Sequence, residues 1–250
     1  MCIRDRSFRE AVVGGVLVRR RDRVQFRHAL LREATLAQLF PDAERAHHTG
    51  WCSVVGDTPR GLAATVAAGH HRRGAGDLGG ALEAFYGAAL LSRTLSAYAE
   101  EKQLLVVAAD LWPLVPDAES RTGTTLSDLL GAAAWAAHEG MTDLEEGQRL
   151  VDAAVAALPA DASAHTRAML TLLWHRLRWA DDPEARLSAS DVVAVVADVT
   201  MDPPSEDAVL ACLEATDALL QSGELSRAES YAARAVELAG TMDNLSLIHI

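Results

Sequence analysis

Residues 24–39 read VQFRHALLREATLAQL, and the reading of this stretch decides the fold. Val24 and Phe26 alternate with polar neighbours, the two-residue period of a short strand. The period then changes. Leu30, Leu31, Ala34, Leu36, Ala37 and Leu39 give a helix a wide apolar face, with Arg27, Arg32 and Glu33 as polar positions. Upstream, the apolar runs 16–18 and 24–26 flank the polar RRRDR of 19–23, which predicts a hairpin. Beyond Pro59 the pattern is helical and repetitive. The stretch is therefore a junction between a small mixed module and a long helical arm.

The spacing predicts helices over 43–55, 59–75, 77–94, 97–113, 123–139, 143–158, 163–180, 184–199, 205–222 and 224–241. Asp57 or Thr58 is expected to cap the second of these, with Pro59 in its first turn. Three connections are alike. Gly76-Asp77-Leu78 leads to Ala81, Phe85 and Ala88; Thr142-Asp143-Leu144 leads to Gly147, Val151 and Ala154; Gly223-Glu224-Leu225 leads to Ala228, Ala232 and Ala235. A turn glycine, a small residue where two helices cross, apolar positions a turn apart and a closing proline make a tetratricopeptide-like pattern. Residues 98–113 repeat it, except that Glu101 stands where a small residue is expected. The interval from Leu78 to Leu144 is 66 residues and that from Leu144 to Leu225 is 81, so the period drifts. The physical cause of such a pattern is that one helix pair cannot bury its own apolar face; stacking supplies the partner. The expected fold class is all-α: a tetratricopeptide-like helical repeat solenoid preceded by a partial winged-helix segment with one β-hairpin.

The FRHALLREA of residues 26–34 resembles the signature that follows the ATPase core in large, ATP-dependent, MalT-like regulators of the LuxR family. The SFREAVVGGVLV of 7–18 is similar to the helix and first wing strand before it, and PDAER of 41–45 stands where that family has a PGER-type turn. AYAE at 97–100 and LWPLVPDA at 111–118 resemble two further family stretches. The likeness covers residues 7 to about 120; beyond that only the repeat pattern is shared. It implies that 7–40 is the C-terminal part of a winged-helix module and 41–241 a tetratricopeptide-like arm. It also implies a parent with a nucleotide domain before this stretch and a helix-turn-helix after it, using ATP and magnesium. ATPases fused to nucleotide cyclases carry a similar FRHAL stretch, so a cyclase parent is the rival reading and a plain repeat scaffold the third.

Residues 1–6 read MCIRDR and 245–250 read LSLIHI. The DNA ATG TGT ATA AGA GAC AG encodes Met1 to Asp5, and its reverse complement, beginning CTG TCT CTT ATA CAC AT, encodes Leu245 to His249. One short DNA read on both strands accounts for both segments, and it resembles a transposase end used in library preparation. Both are expected to be adapter scars, and the chain an internal piece of a longer one.

At 250 residues, half of them hydrophobic but only 5% aromatic, the chain draws its apolar content from alanine and leucine, which favours close-packed helices. The formal charge of −12 argues against nonspecific nucleic-acid binding by the whole chain. The first 32 residues run the other way, with nine Arg against three acids. A winged-helix segment inside a regulatory ATPase packs on the nucleotide domain, so no direct nucleic-acid contact is expected. Lys102 is the single lysine among 23 basic residues, which together with abundant alanine indicates GC-rich coding DNA. Cys52 and Cys212 have neither disulfide nor zinc spacing, and a reduced cytoplasm fits them. No run of 18 apolar residues exists, so no membrane span is expected.

Several motifs resemble chemistry. Gly74-Ala75-Gly76-Asp77-Leu78-Gly79 matches GxGxxG, but the dinucleotide site needs a buried strand before it, and here His70-His71-Arg72-Arg73 closes a helix. It reads as an inter-helix turn. His47-His48 and His70-His71 each point apart on a helix, so neither pair presents well to one ion. The sequence holds no GxxxxGK[ST] loop, and no Ser/His/Asp or Cys/His arrangement can be assembled. Trp174, His175 and Trp179 lie close together on one predicted helix, either lining a ligand groove or filling gaps between repeats. The function expected is a sensor or protein-interaction arm without catalytic, cofactor or metal residues. Its partners are expected to be its own ATPase domain and an effector or partner protein.

Overall fold

The computed structural model describes residues 3–21, 23–56, 59–140, 144–179 and 187–242. The chain is predominantly helical, with one two-stranded antiparallel hairpin near the N-terminus. In chain order the elements are α1 (Ile3–Val13), β1 (Leu17–Arg20), β2 (Arg23–Phe26), α2 (Ala29–Leu36), α3 (Pro41–Val55), α4 (Leu62–Ala75), α5 (Leu78–Thr94) and α6 (Tyr98–Leu111). There follow a 3-10 turn (Trp112–Leu114), α7 (Ala118–Thr122), α8 (Leu126–Glu139), α9 (Leu144–Ala156), α10 (Ala164–Trp179), α11 (Ala189–Val196), α12 (Glu206–Ser222) and α13 (Leu225–Gly240).

The hairpin is longer than its apolar runs suggest. Leu17 pairs with Phe26, Arg19 with Val24 and Arg20 with Arg23, so the arginines of RRRDR extend both strands. The turn narrows to two residues, with Arg21 in the left-handed region at φ 56°. Arg19 and Arg20 are tolerated in β1 because that end of the strand is exposed. The hairpin lies against α1 and α2. α1 includes Ile3 to Arg6 of the stretch read as adapter-derived; 245–250 lie outside the described residues.

Local chemistry sets the helix ends. α4 closes on Gly76 at φ 88° and α12 on Gly223 at φ 80°, the left-handed cap conformation that costs a Cβ-free residue least. The Asp77 carboxylate then accepts the Gly80 amide at 2.9 Å and starts α5, while Thr125 and Ser205 cap α8 and α12 through Asp128 and Ala208. Three predicted boundaries move. The helix expected from 59 begins at Leu62, because Gly61 at φ 83° redirects the chain after Pro59. The proposed caps Asp57 and Thr58 lie outside the described residues. The helix expected from 123 begins at Leu126, because Gly123 ends the short α7 in a left-handed turn. The one expected from 184 is the eight-residue α11, begun by a reciprocal Ser188–Asp191 capping box; residues 184–186 are outside the described set. The connection Thr142-Asp143 is outside it as well.

From α3 onward each helix of eight residues or more packs chiefly on its neighbours of that length in the chain, α6 meeting α8, while the short α7 packs on α5. The core is correspondingly strung out. Leu82, Phe85, Leu105, Leu111 and Leu129 join α5, α6 and α8. Leu130, Ala154 and Leu170 join α8, α9 and α10. Val192, Val196, Ala211 and Ala215 join α11 to α12, and Cys212, Ala235 and Leu238 join α12 to α13. Small residues hold the crossings: Ala81, Ala88, Ala108 and Ala154 are fully buried, and Ala228 and Ala235 nearly so. At Gly147 a Cβ would stand 3.3 Å from Leu177 Cδ2 and 3.4 Å from Ala137 Cβ. Glu101, the exception to the small-residue pattern, is 1% exposed and lies against Arg93.

Candidate functional site

α8, α10 and α12 do not fill the space between them. They leave an open cavity of about 260 Å³. Its apolar lining comes from Trp135 of α8, Met169 and Leu173 of α10 and Leu210 of α12. Trp135 stands in the small-residue run GAAAWAA, where its chain neighbours carry at most a methyl, and its ring is half-buried.

Charged groups surround that lining. The Arg176 guanidinium lies 5.4 Å from the centre of the Trp135 ring, a cation–π distance, and pairs with Glu214 of α12. Burial pushes the Glu214 carboxyl above its usual range, and Arg176 acts against that. Arg93 lines the other side and holds Glu101 at 2.7 Å. Glu101 follows the same pattern: burial raises its pKa and Arg93 opposes the rise. Two buried carboxylates thus each fix an arginine at the cavity wall. His138, beside Trp135 at 5.9 Å between ring centres, is lowered by burial and then by Arg176, so its neutral form is favoured.

Asp128, Glu206 and Asp207 add carboxylates to the lining. His165 ties one end together. Its Nδ1 accepts the Thr200 amide at 3.1 Å, which leaves Nε2 of the neutral ring to donate to Asp207, also at 3.1 Å. The mix of a flat aromatic, flexible apolar side chains, two guanidiniums and several carboxylates suits reversible binding of a group with an apolar body and polar ends.

The residues singled out from the sequence fall elsewhere. Trp174 faces α9: its Nε1 donates to Asp152 at 3.0 Å, and the Arg178 guanidinium sits 5.0 Å from its ring centre. It packs beside Ala134, Val151 and Leu177. His175, next in the chain, is buried on the other side, where a second hollow of about 300 Å³ runs along Leu187, Ala189, Glu214 and Ala218. One residue along a helix rotates the side chain by about 100°, which is why the two meet different neighbours. Trp179 ends α10, and its side chain lies outside the described residues. The cavity residues missed were Trp135, Arg176 and Glu214. The signal for the first was present, a lone aromatic in an alanine run; the other two are joined only by the fold.

The GxGxxG stretch spans the end of α4 and the start of α5, with no strand before it. Among the described residues no three His, Cys, Asp or Glu side chains come together as a metal set, and Cys52 and Cys212 are both free thiols. No described helix is long and apolar enough to cross a membrane. Compared with models of protein families and with curated proteins, the chain matches none.

Proposed function

We propose that this chain is a tetratricopeptide-like repeat arm that works by binding, with the α8–α10–α12 cavity as its recognition site. The observation that carries this reading is the neighbour-on-neighbour helix packing over alanine crossings, which leaves a lined cavity on one side of the array. A row of helices so built offers an extended surface and no rigid constellation for chemistry. The FRHALLREA resemblance extends the reading. The arm belongs to an ATP-dependent LuxR-type transcriptional regulator of the cytoplasm. Residues 7–40 are the end of its winged-helix module, and the arm relays effector or partner binding to the ATPase and helix-turn-helix of that parent.

The test is a thermal-shift screen of short peptides and common metabolites against the wild-type chain and Met169→Trp, which fills the cavity. A compound that raises the wild-type Tm and has no effect on the variant supports the reading. If every compound that binds stabilises both proteins equally, or none binds, the cavity is not the recognition site.

A further inference from the structure

His48 of α3 and His71 of α4 face one another across the joint between those helices. Their Nδ1 atoms are 3.1 Å apart and their ring centres 5.3 Å. The gap between nitrogens plus one ring radius on each side accounts for nearly the whole centre-to-centre distance, so the two lone-pair directions meet head-on. An ion bound by two imidazoles needs about 2.0–2.1 Å to each nitrogen, and no such ion fits in line between these two. A single proton does: one ring donates Nδ1–H and the other accepts.

We propose that this shared-proton pair is a pH-sensitive latch on the α3–α4 joint. The neutral pair takes a first added proton at the far nitrogen of the donor ring and keeps the bond; when a second is added, both Nδ1 atoms carry hydrogen, the bond is lost, and two positive rings oppose one another. The rings cannot simply swing apart. His48 packs over Gly74, where a Cβ would fall 2.4 Å from the imidazole, and Trp51 stacks on His71 at 5.7 Å with planes 13° apart.

The surrounding charges do not neutralise a second proton. α3 carries His47, Arg45 and, in its first turn, Asp42 and Glu44; α4 carries His70, Arg72 and Arg73. α5, which packs on α4, brings Asp77, bonded to the Gly80 amide, and Glu83, paired with Arg121. His71 is held below its usual value by burial first and then by His48 and His70, and no carboxylate acts on it. The sign follows. A histidine whose folded pKa is lowered contributes to the closed joint above the unfolded value of 6.5, and that contribution is lost as pH falls below it. Among the described residues α3 has substantial packing only with α4. Opening this latch therefore frees α3, and with it the hairpin module that precedes it, from the helical array.

Hydrogen exchange on the full chain at pH 7.5 and pH 5.0, corrected for intrinsic rates, tests this. Protection of α3 relative to α8 is expected to fall roughly tenfold for each pKa unit separating open and closed states. The double variant His48→Gln, His71→Gln keeps an amide pair that does not titrate, and is expected to lose the response. His47→Gln, on the exposed side of α3, is expected to keep it. Proton NMR of the imidazoles provides an independent readout: His71 should titrate below the ordinary imidazole value of 6.5. A pH response equal in wild type and double variant, or absent in wild type, overturns the proposal.

Discussion

Arg93, in the last turn of α5, holds the Glu101 carboxylate of α6 at 2.7 Å, and Glu101 occupies a position where α5, α9 and α13 carry Ala81, Gly147 and Ala228. Glu101 is 1% exposed while Arg93 is 45% exposed, so the charge is buried and its partner is half in water. A buried carboxylate is tolerated only when paired, and here the partner also lines the cavity between α8, α10 and α12.

Removing that partner should show which residue needs the other. Breaking a fully buried pair costs about 3–5 kcal/mol; the solvent around Arg93 reduces the expected loss in Arg93→Ala to about 2 kcal/mol at pH 7. The pH dependence carries the sign. Burial already raises the Glu101 pKa, so the folded state binds its proton more readily than the unfolded chain does. Stability from that group grows as pH falls toward its raised value. Urea unfolding of Arg93→Ala at pH 7 and pH 5 should therefore show a smaller deficit at pH 5. Equal deficits at both values would mean that Glu101 is not the group left exposed to the loss.

Two glycines separate packing from propensity. At Gly69 a Cβ would lie 2.8 Å from Phe85 Cε1, and Phe85 is fully buried and cannot retreat. Gly69→Ala should cost about 1–3 kcal/mol through overpacking between α4 and α5. At Gly87, in the middle of α5, a Cβ meets nothing within 4 Å. Gly87→Ala should stabilise by about 0.5–1 kcal/mol, the helix preference of alanine over glycine. Denaturant midpoints measure both; effects of the same sign would contradict the α4–α5 crossing.

These glycines also show how far the sequence alone reaches. Gly76 and Gly223 announced helix ends because a left-handed cap is a local property of a few residues. Gly123 is the same kind of cap, but the α7 it ends has five residues, too few to carry a period, so the sequence reads a helix from 123 where α8 begins at Leu126. RRRDR looked like a turn because its arginines are polar, whereas strand pairing asks only that one face be solvated. The cavity was least legible. Trp135, Met169, Arg176 and Glu214 meet through α8, α10 and α12, and no local pattern joins positions on three helices. Trp174 and His175 drew attention as large side chains, yet their one-residue offset sends them to α9 and to the α11–α12 side.

The chain is expected not to bind ATP. The sequence has no GxxxxGK[ST] loop, and Gly74 to Gly79 form a turn between two helices, without the strand that aims a pyrophosphate at a helix N-terminus. Calorimetric titration with ATP and magnesium should give no heat of binding; a micromolar dissociation constant would contradict the reading of this chain as an arm without a nucleotide site.

Stability is expected to pass along the array from neighbour to neighbour, and Ala228 tests this most directly. Ala228 is 1% exposed and sits where α13 crosses α12, the helix on which α13 chiefly packs. Ala228→Arg forces several methylenes and a charge into a contact sized for one methyl, a loss of about 1–3 kcal/mol or more. Arg234 and Glu229 are exposed on the same helix, and replacing either by alanine should change stability by about 0.5 kcal/mol or less. Hydrogen exchange of Ala228→Arg, mapped helix by helix, is the measurement. Nearest-neighbour coupling predicts lost protection in α12 and α13 with α4, α5 and α6 unchanged. Uniform loss across all helices, or protection equal to that of Arg234→Ala, would contradict it.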